Sequence, residues 1–191
     1  MGRKPSSTLH EHILDVASDL FYRQGIRAVG VDAIVARAGI AKMTLYQHFR
    51  SKEELILAFL RRRDERWRSW LRSAVGRRAG APKERLLAIF DALEEWFTSP
   101  EFRGCAFINT AIEIADPGHP AHRVALEHKQ LLQAYIAALA REAGVNDAET
   151  LSRRLLLLVE GAIVTAQVGT DPAPAQQAHQ AAEVLIASAL Q

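Results

Sequence analysis

A short run of residues near the N-terminus carries a dense set of hydrogen-bonding side chains. Between residues 39 and 49 these are Lys42, Thr44, Tyr46, Gln47 and His48. Each can donate or accept hydrogen bonds, and the lysine adds a positive charge. A helix with such a face fits the major groove of duplex DNA, about 12 Å wide, where its N-terminal residues meet base edges. The segment therefore indicates a helix that can read DNA.

A second set of residues offers a different chemistry. Cys105 is the only cysteine, and Asp116, His119, His122 and Glu127 cluster around a Pro-Gly loop. A metal- or thiol-dependent enzyme without DNA binding is therefore the alternative function. The chain has no His-Glu-x-x-His pattern, phosphate-cradling glycine loop or nucleophile–base spacing. A cysteine in an apolar run is typical of an inert core thiol, and a solvated turn is the simpler account of the histidines. We expect no catalytic residue, metal or cofactor.

The elements that must position these side chains all have the helical period. Apolar residues recur three and four positions apart along the chain, and nothing alternates convincingly at period two. Thr8 with Glu11 and Ser51 with Glu54 fit capping boxes at helix starts. Gly39 fits a tight turn between two short helices, with Ile34, Ile40 and Leu45 placed to bury between them. The sequence predicts an all-α fold of about nine helices.

Charge divides the chain into two parts. Residues 1–80 contain 16 Lys+Arg and 8 Asp+Glu, whereas residues 81–191 contain 8 and 14. A net charge of +8 followed by −6 favours a polyanion-binding module joined to an acidic body, although chance clustering on solvated faces gives the same sums. No apolar run approaches the roughly 18 residues of a membrane span, and no secretory signal is present. We expect a cytoplasmic protein without a membrane partner.

The residues from Gly39 to Phe49, followed by Ser51-Lys52-Glu53-Glu54-Leu55, closely resemble the DNA-binding domain of the TetR family of bacterial transcriptional regulators. The resemblance covers about residues 8–60. It implies base or adjacent phosphate contacts for Lys42, Met43 and Thr44, and a base contact for Gln47. It implies phosphate contacts for Tyr46, His48 and Lys52. Arg3 and Lys4 form either an arm that reaches a groove or a disordered tail.

The resemblance also implies two domains. Residues 1–50 would form a three-helix helix-turn-helix DNA-binding domain, and residues 51–191 a helical ligand-binding and dimerisation domain. Aromatic and polar residues of the body are candidates for the ligand pocket: Trp67, Trp70, Phe90, Trp96, Phe97, Cys105, Phe107, Asn109, Glu113, His128 and Tyr135. Asn109 and Glu113 stand out because a polar group on an apolar helix needs a partner. Ordinary core packing is the alternative for each aromatic residue.

Two C-terminal helices are the candidates for a dimer interface. A two-fold dimer needs a self-complementary apolar surface, and the expected members are Leu155, Leu158, Val159, Ala162, Ile163, Ala166, Ala178, Ala181, Ala182, Leu185 and Ala189. A monomeric core is the alternative. The resemblance thus implies a ligand-responsive regulator, a repressor, that binds a pseudo-palindromic operator as a homodimer and is released by a small-molecule inducer. A DNA-free helical interaction protein would not explain residues 39–55.

Overall fold

A computed structural model describes residues 7–191, and these form nine α-helices. They are α1 (Ser7–Gln24), α2 (Val31–Ala38), α3 (Lys42–His48), α4 (Lys52–Arg78), α5 (Pro82–Phe97), α6 (Ala106–Glu113), α7 (Pro120–Glu142), α8 (Ala148–Gly169) and α9 (Ala173–Ala189). The predicted all-α fold is confirmed. Within these residues no helix is both long and apolar enough to cross a membrane. The predicted arm at Arg3 and Lys4 lies outside the described residues.

The helices group into two compact units. The first contains the described residues up to Asp64 together with Ala106–Leu126, and the second contains Glu65–Cys105 together with Glu127–Gln191. The boundaries of the units fall within α4, at the start of α6 and within α7. The predicted division into domains at residues 50 and 51 separates DNA binding from ligand binding and not packing units, and it stays a prediction.

The first unit is built around the short helices α2 and α3. Gly39 ends α2 in the left-handed conformation, with φ of 66°, and the following Ile40 N–H donates to Val35 O at 3.1 Å. Ile34 and Leu45 are fully buried, as their positions predict, whereas Ile40 is half-buried. Because the turn and both anchors are fixed, the axis of α3 is fixed relative to α2.

One arginine joins α4 to α1 in the same unit. The side chain of Arg62 is only 12% exposed, and its guanidinium lies 3.0 Å from Asp15 and 3.2 Å from Glu11. Its other terminal nitrogen donates to the Ser18 hydroxyl at 2.8 Å. A planar guanidinium can satisfy several acceptors at once, so Arg62 stabilises the α1–α4 contact.

In the second unit, α8 packs mainly against α9, and α9 packs against α5. This packing bears on the predicted dimer interface, which stays a prediction. Seven of its members are already buried inside the protomer: Leu155, Val159, Ala162, Ile163, Ala166, Ala178 and Ala182. A side chain enclosed by its own protomer has no surface left for a partner. These residues are therefore core, and Leu158, Ala181, Leu185 and Ala189 retain some exposure.

The C-terminal end of α3 is held against α1 by a ring cluster. Phe49 is 2% exposed, and the ring of His10 stacks on it with centroids 4.3 Å apart. His10 also lies 5.9 Å from the ring of His48, whose Nδ1 is buried without a hydrogen-bond partner. Burial, and to a smaller extent the nearby His10, hold the pKa of His48 below its usual value. The packed form of His48 is therefore the neutral imidazole.

This arrangement predicts a stability that falls in mild acid. Below pH 6.5 the unfolded chain binds a proton at His48 more readily than the folded chain, so protonation favours unfolding. We expect the free energy of unfolding of wild type to fall relative to that of His48→Gln as the pH drops from 7.5 to 5.5. Urea denaturation at several pH values measures this difference. Parallel pH profiles for the two proteins would contradict the assignment.

Candidate nucleic-acid interface

Helix α3 presents the predicted DNA-binding side chains on one short element. Met43 is 72% exposed and Tyr46 40% exposed, although both are large and partly apolar. Lys42 and Gln47 are exposed, whereas Thr44 and His48 are half-buried. Leu45 points inward on the same helix and is fully buried. The structure thus places the six predicted α3 residues around one short helix, with Met43 and Gln47 on the side opposite Leu45.

Lys42 already has an anionic partner in the free protein. Its ammonium donates to Asp32 Oδ1 of α2 at 2.9 Å, and both side chains are well exposed. This hydrogen bond, followed by the Coulomb attraction of the same carboxylate, raises the pKa of Lys42. The ammonium therefore stays charged, and an exposed pair of this kind exchanges easily for a phosphate. The pairing of Asp32 with Lys42 was not predicted, because no sequence motif links the two positions.

Lys52 is placed by the capping box predicted at the start of α4. The Ser51 hydroxyl accepts the Glu54 N–H at 3.0 Å, and the Glu54 carboxylate accepts the Arg50 N–H at 2.7 Å. Lys52 is half-buried beside this cap. Burial lowers the pKa of its ammonium, and the negative charge of Glu113 partly opposes that effect. A lysine at a helix N-terminus is positioned to bind an anion, because backbone N–H groups face the same way.

The structure groups only part of the predicted ligand pocket. Trp67, Trp70, Trp96 and His128 form one ring cluster, with centroids between 5.5 and 6.4 Å apart. Phe97 adjoins it through Trp96 at 6.0 Å. The indole Nε1 of Trp67 is buried and has no hydrogen-bond partner. A buried donor left unsatisfied is costly, so this cluster is a candidate place for an acceptor atom from a ligand.

For the other predicted pocket residues, a role in the pocket stays a prediction. Phe90 pairs with His179, Cys105 contacts Lys129, and Tyr135 lies under Arg72. Phe107, Asn109 and Glu113 belong to the first compact unit. Glu113 accepts the backbone N–H of Arg27 at 2.8 Å. One partner of this polar side chain is therefore the loop between α1 and α2, and the placement of Glu113 in the pocket stays a prediction.

A cleft of about 490 Å³ in the second unit was not predicted. Its lining comes from the end of α5, the following loop and the end of α8: Phe97, Ser99, Pro100, Phe102, Arg103, Ala166, Gln167 and Thr170. Only Phe97 belongs to the predicted pocket set. The other residues lie at the ends of two helices distant in sequence, and no local pattern marks them as neighbours.

The residues of the alternative enzymatic reading have structural roles. Asp116 accepts the Gly118 N–H at 2.9 Å, His119 Nδ1 accepts the Ala121 N–H at 3.1 Å, and His122 Nε2 lies 2.6 Å from Ile114 O. Across residues 7–191 no three metal-ligating side chains converge on a common point. The Cys105 thiol is buried and lies 3.3 Å from the Lys129 ammonium, which pairs with Glu160. These contacts explain the loop as a capped turn before α7.

Comparison with known proteins gives the same picture for both parts of the chain. Residues 13–59 match the family model described as bacterial regulatory proteins, tetR family. Residues 82–182 match the model described as tetracyclin repressor-like, C-terminal domain. The two matches are consecutive and together span most of the described chain.

Individual proteins agree with the family matches. The crystal structure of SCO4454, a TetR-family transcriptional regulator from Streptomyces coelicolor, is 31% identical, with a TM-score of 0.88 and complete coverage of both chains. The HTH-type transcriptional regulator YjdC of Escherichia coli (strain K12) is 26% identical, over 92% of each chain. The HTH-type transcriptional activator FasR of Mycolicibacterium smegmatis is 32% identical, over 76% of this chain and 65% of FasR.

Members of this family are generally ligand-responsive DNA-binding regulators, and dimers are typical of them. The two family matches and the likeness to SCO4454 over the whole chain show that the chain belongs to the TetR family of bacterial transcriptional regulators.

Proposed function

We propose that this protein is a ligand-responsive repressor of the bacterial cytoplasm that binds a pseudo-palindromic operator as a homodimer and is released by a small-molecule inducer. The observation that carries the proposal is the outward face of α3. It exposes cationic, aromatic and amide side chains on a helix whose opposite face is anchored by Leu45. A helix anchored in this way can enter the major groove without rearrangement of its own protomer.

The proposed contacts divide by chemistry. Lys42, Met43 and Thr44 lie in the first turn of α3, where side chains meet base edges or the adjacent phosphate. Gln47 has the amide geometry that pairs with adenine, and it is the proposed direct reader. Tyr46, His48 and Lys52 are the proposed phosphate contacts, which fix the register of the protein on the duplex.

Exposed apolar residues on α8 and α9 support a dimer, although not through most of the residues predicted for it. Leu157 is 73% exposed and Val168 81% exposed on α8, with Val164 between them at helical spacing. On α9, Val184 is 70% exposed, one turn from the exposed Ala181. Large exposed apolar side chains next to small ones suit close helix packing with a second copy. The proposed interface therefore centres on these residues.

The inducer site is proposed within the second unit. The tryptophan cluster offers an apolar environment with one unsatisfied indole donor, which suits a small apolar or aromatic molecule that carries an acceptor oxygen. Such a ligand shifts DNA binding only to the extent that it binds the two conformations with different affinity. In the proposed mechanism the ligand-favoured conformation no longer matches the spacing of the operator half-sites.

The DNA contacts predict a charge-specific loss of binding. After an operator is selected from random duplexes, Lys52→Gln should weaken binding about tenfold and lower the salt slope by about one per protomer, because a phosphate contact is lost. Tyr46→Phe, which removes only a hydroxyl, should weaken binding less. Fluorescence anisotropy at several salt concentrations measures both effects.

The matched control is Lys83→Gln, which removes the same charge from an exposed position on α5. An equal loss of affinity in this control would show that overall charge, and not Lys52, is responsible. Failure of wild type to enrich any duplex above background would contradict the proposed function itself.

The revised interface predicts which substitutions dissociate the dimer. We expect wild type to have twice the chain mass of 21.2 kDa, and Val168→Asp to shift the mass to that of one chain, because a buried carboxylate without a partner is costly. Leu126→Asp, at another exposed apolar position on α7, should leave the dimer intact. Sedimentation equilibrium checks all three. A monomeric wild type, or dissociation in the control alone, would contradict the interface.

A further inference from the structure

The carboxylate of Glu113 is bound to the loop between α1 and α2. Glu113 is the last residue of α6, and its Oε2 accepts the backbone N–H of Arg27 at 2.8 Å across 86 residues of sequence. Hydrogen bonds to a charged acceptor are about twice as strong as those between neutral groups. The loop that leads into the helix-turn-helix is therefore tied to the end of α6 by a charge-assisted bond.

The loop is shaped to receive this carboxylate. Gly25 has a φ of +89°, a conformation that side chains rarely adopt. A Cβ placed on Gly25 would lie 2.9 Å from each of the two carboxylate oxygens of Glu113. Any larger residue would have to displace the Glu113 side chain as well as strain the backbone. The absence of a Cβ at Gly25 therefore leaves room for the Glu113 carboxylate beside the loop, which is consistent with the hydrogen bond to Arg27 N–H.

The same carboxylate acts electrostatically on Lys52. Burial lowers the pKa of Lys52, and the negative charge of Glu113 opposes this by favouring the protonated ammonium. Lys52 is also the proposed phosphate contact at the start of α4. A phosphate that approaches Lys52 therefore meets attraction from the ammonium and repulsion from Glu113. The two effects of Glu113 on DNA binding have opposite signs.

We infer that Glu113 is a positioning residue for operator binding. Its carboxylate fixes the α1–α2 loop through the Arg27 N–H, and its negative charge weakens the attraction between Lys52 and a DNA phosphate. The inference rests on the proposed operator binding and adds to it a residue outside the DNA-facing surface. The hydrogen bond needs only an acceptor oxygen, whereas the restraint needs the negative charge. Substitutions can therefore separate the two roles.

Glu113→Ala removes both the acceptor and the charge, and Glu113→Gln keeps an acceptor oxygen while removing the charge. We expect Glu113→Ala to bind the operator about tenfold more weakly, since the loop loses its anchor. We expect Glu113→Gln to bind about two- to fivefold more tightly than wild type at low salt. The substitution removes the repulsion between the Glu113 carboxylate and the DNA phosphate, and exposed charge interactions typically have this magnitude. The gain should shrink at high salt and disappear in a Lys52→Gln background.

The experiment measures anisotropy with the selected operator, together with hydrogen exchange at the Arg27 amide without DNA. Exchange at that amide should be fastest in Glu113→Ala and intermediate in Glu113→Gln, whose neutral oxygen accepts a weaker hydrogen bond. Glu127→Gln, which removes an exposed carboxylate from α7, is the control and should match wild type in both measurements.

The outcomes separate this inference from the proposed function. Absence of any enriched duplex for wild type would overturn operator binding, and with it the inference. If wild type binds but Glu113→Ala and Glu113→Gln lose affinity equally, or neither changes affinity or Arg27 exchange, the role of Glu113 is overturned. A gain for Glu113→Gln that persists without Lys52 would overturn the electrostatic part.

Discussion

A helix of seven residues has little stability of its own in water, because the cost of nucleating it is spread over too few hydrogen bonds. Helix α3 exists because Leu45 and the adjoining Phe49 are buried within the first unit, and because the turn at Gly39 delivers it in a fixed direction. Everything proposed for DNA binding depends on this anchoring. The exposed face can consist almost entirely of polar, cationic and aromatic groups only because two apolar side chains hold the helix in place.

The parts of this arrangement that are local in sequence could be predicted from it. The turn at Gly39, the buried positions of Ile34 and Leu45, and the capping box of Ser51 with Glu54 all depend on residues within a few positions of one another. Local backbone preferences and helical periodicity therefore identify them. Both the number of helices and the helix-turn-helix followed from such signals.

Contacts between distant segments could not be predicted in the same way. Helical spacing showed that α8 and α9 have apolar faces, but not which neighbour covers each face, so core residues such as Leu155 and Ala182 were assigned to a partner surface. Glu113 was correctly expected to need a partner, yet that partner is a backbone N–H 86 residues earlier. Such a donor has no signature in the sequence, because every residue except proline has one.

Helices α8 and α9 each carry one set of buried side chains and a separate set of exposed apolar ones, and this separation affects how such regulators can diverge. The side chains that hold the two helices inside one protomer are not the ones left exposed, such as Leu157, Val168 and Val184. In the proposed dimer, mutations on the outer set would alter which copies pair without loosening the protomer. After gene duplication, two paralogues in one cell could then stop forming heterodimers while both keep the same protomer core.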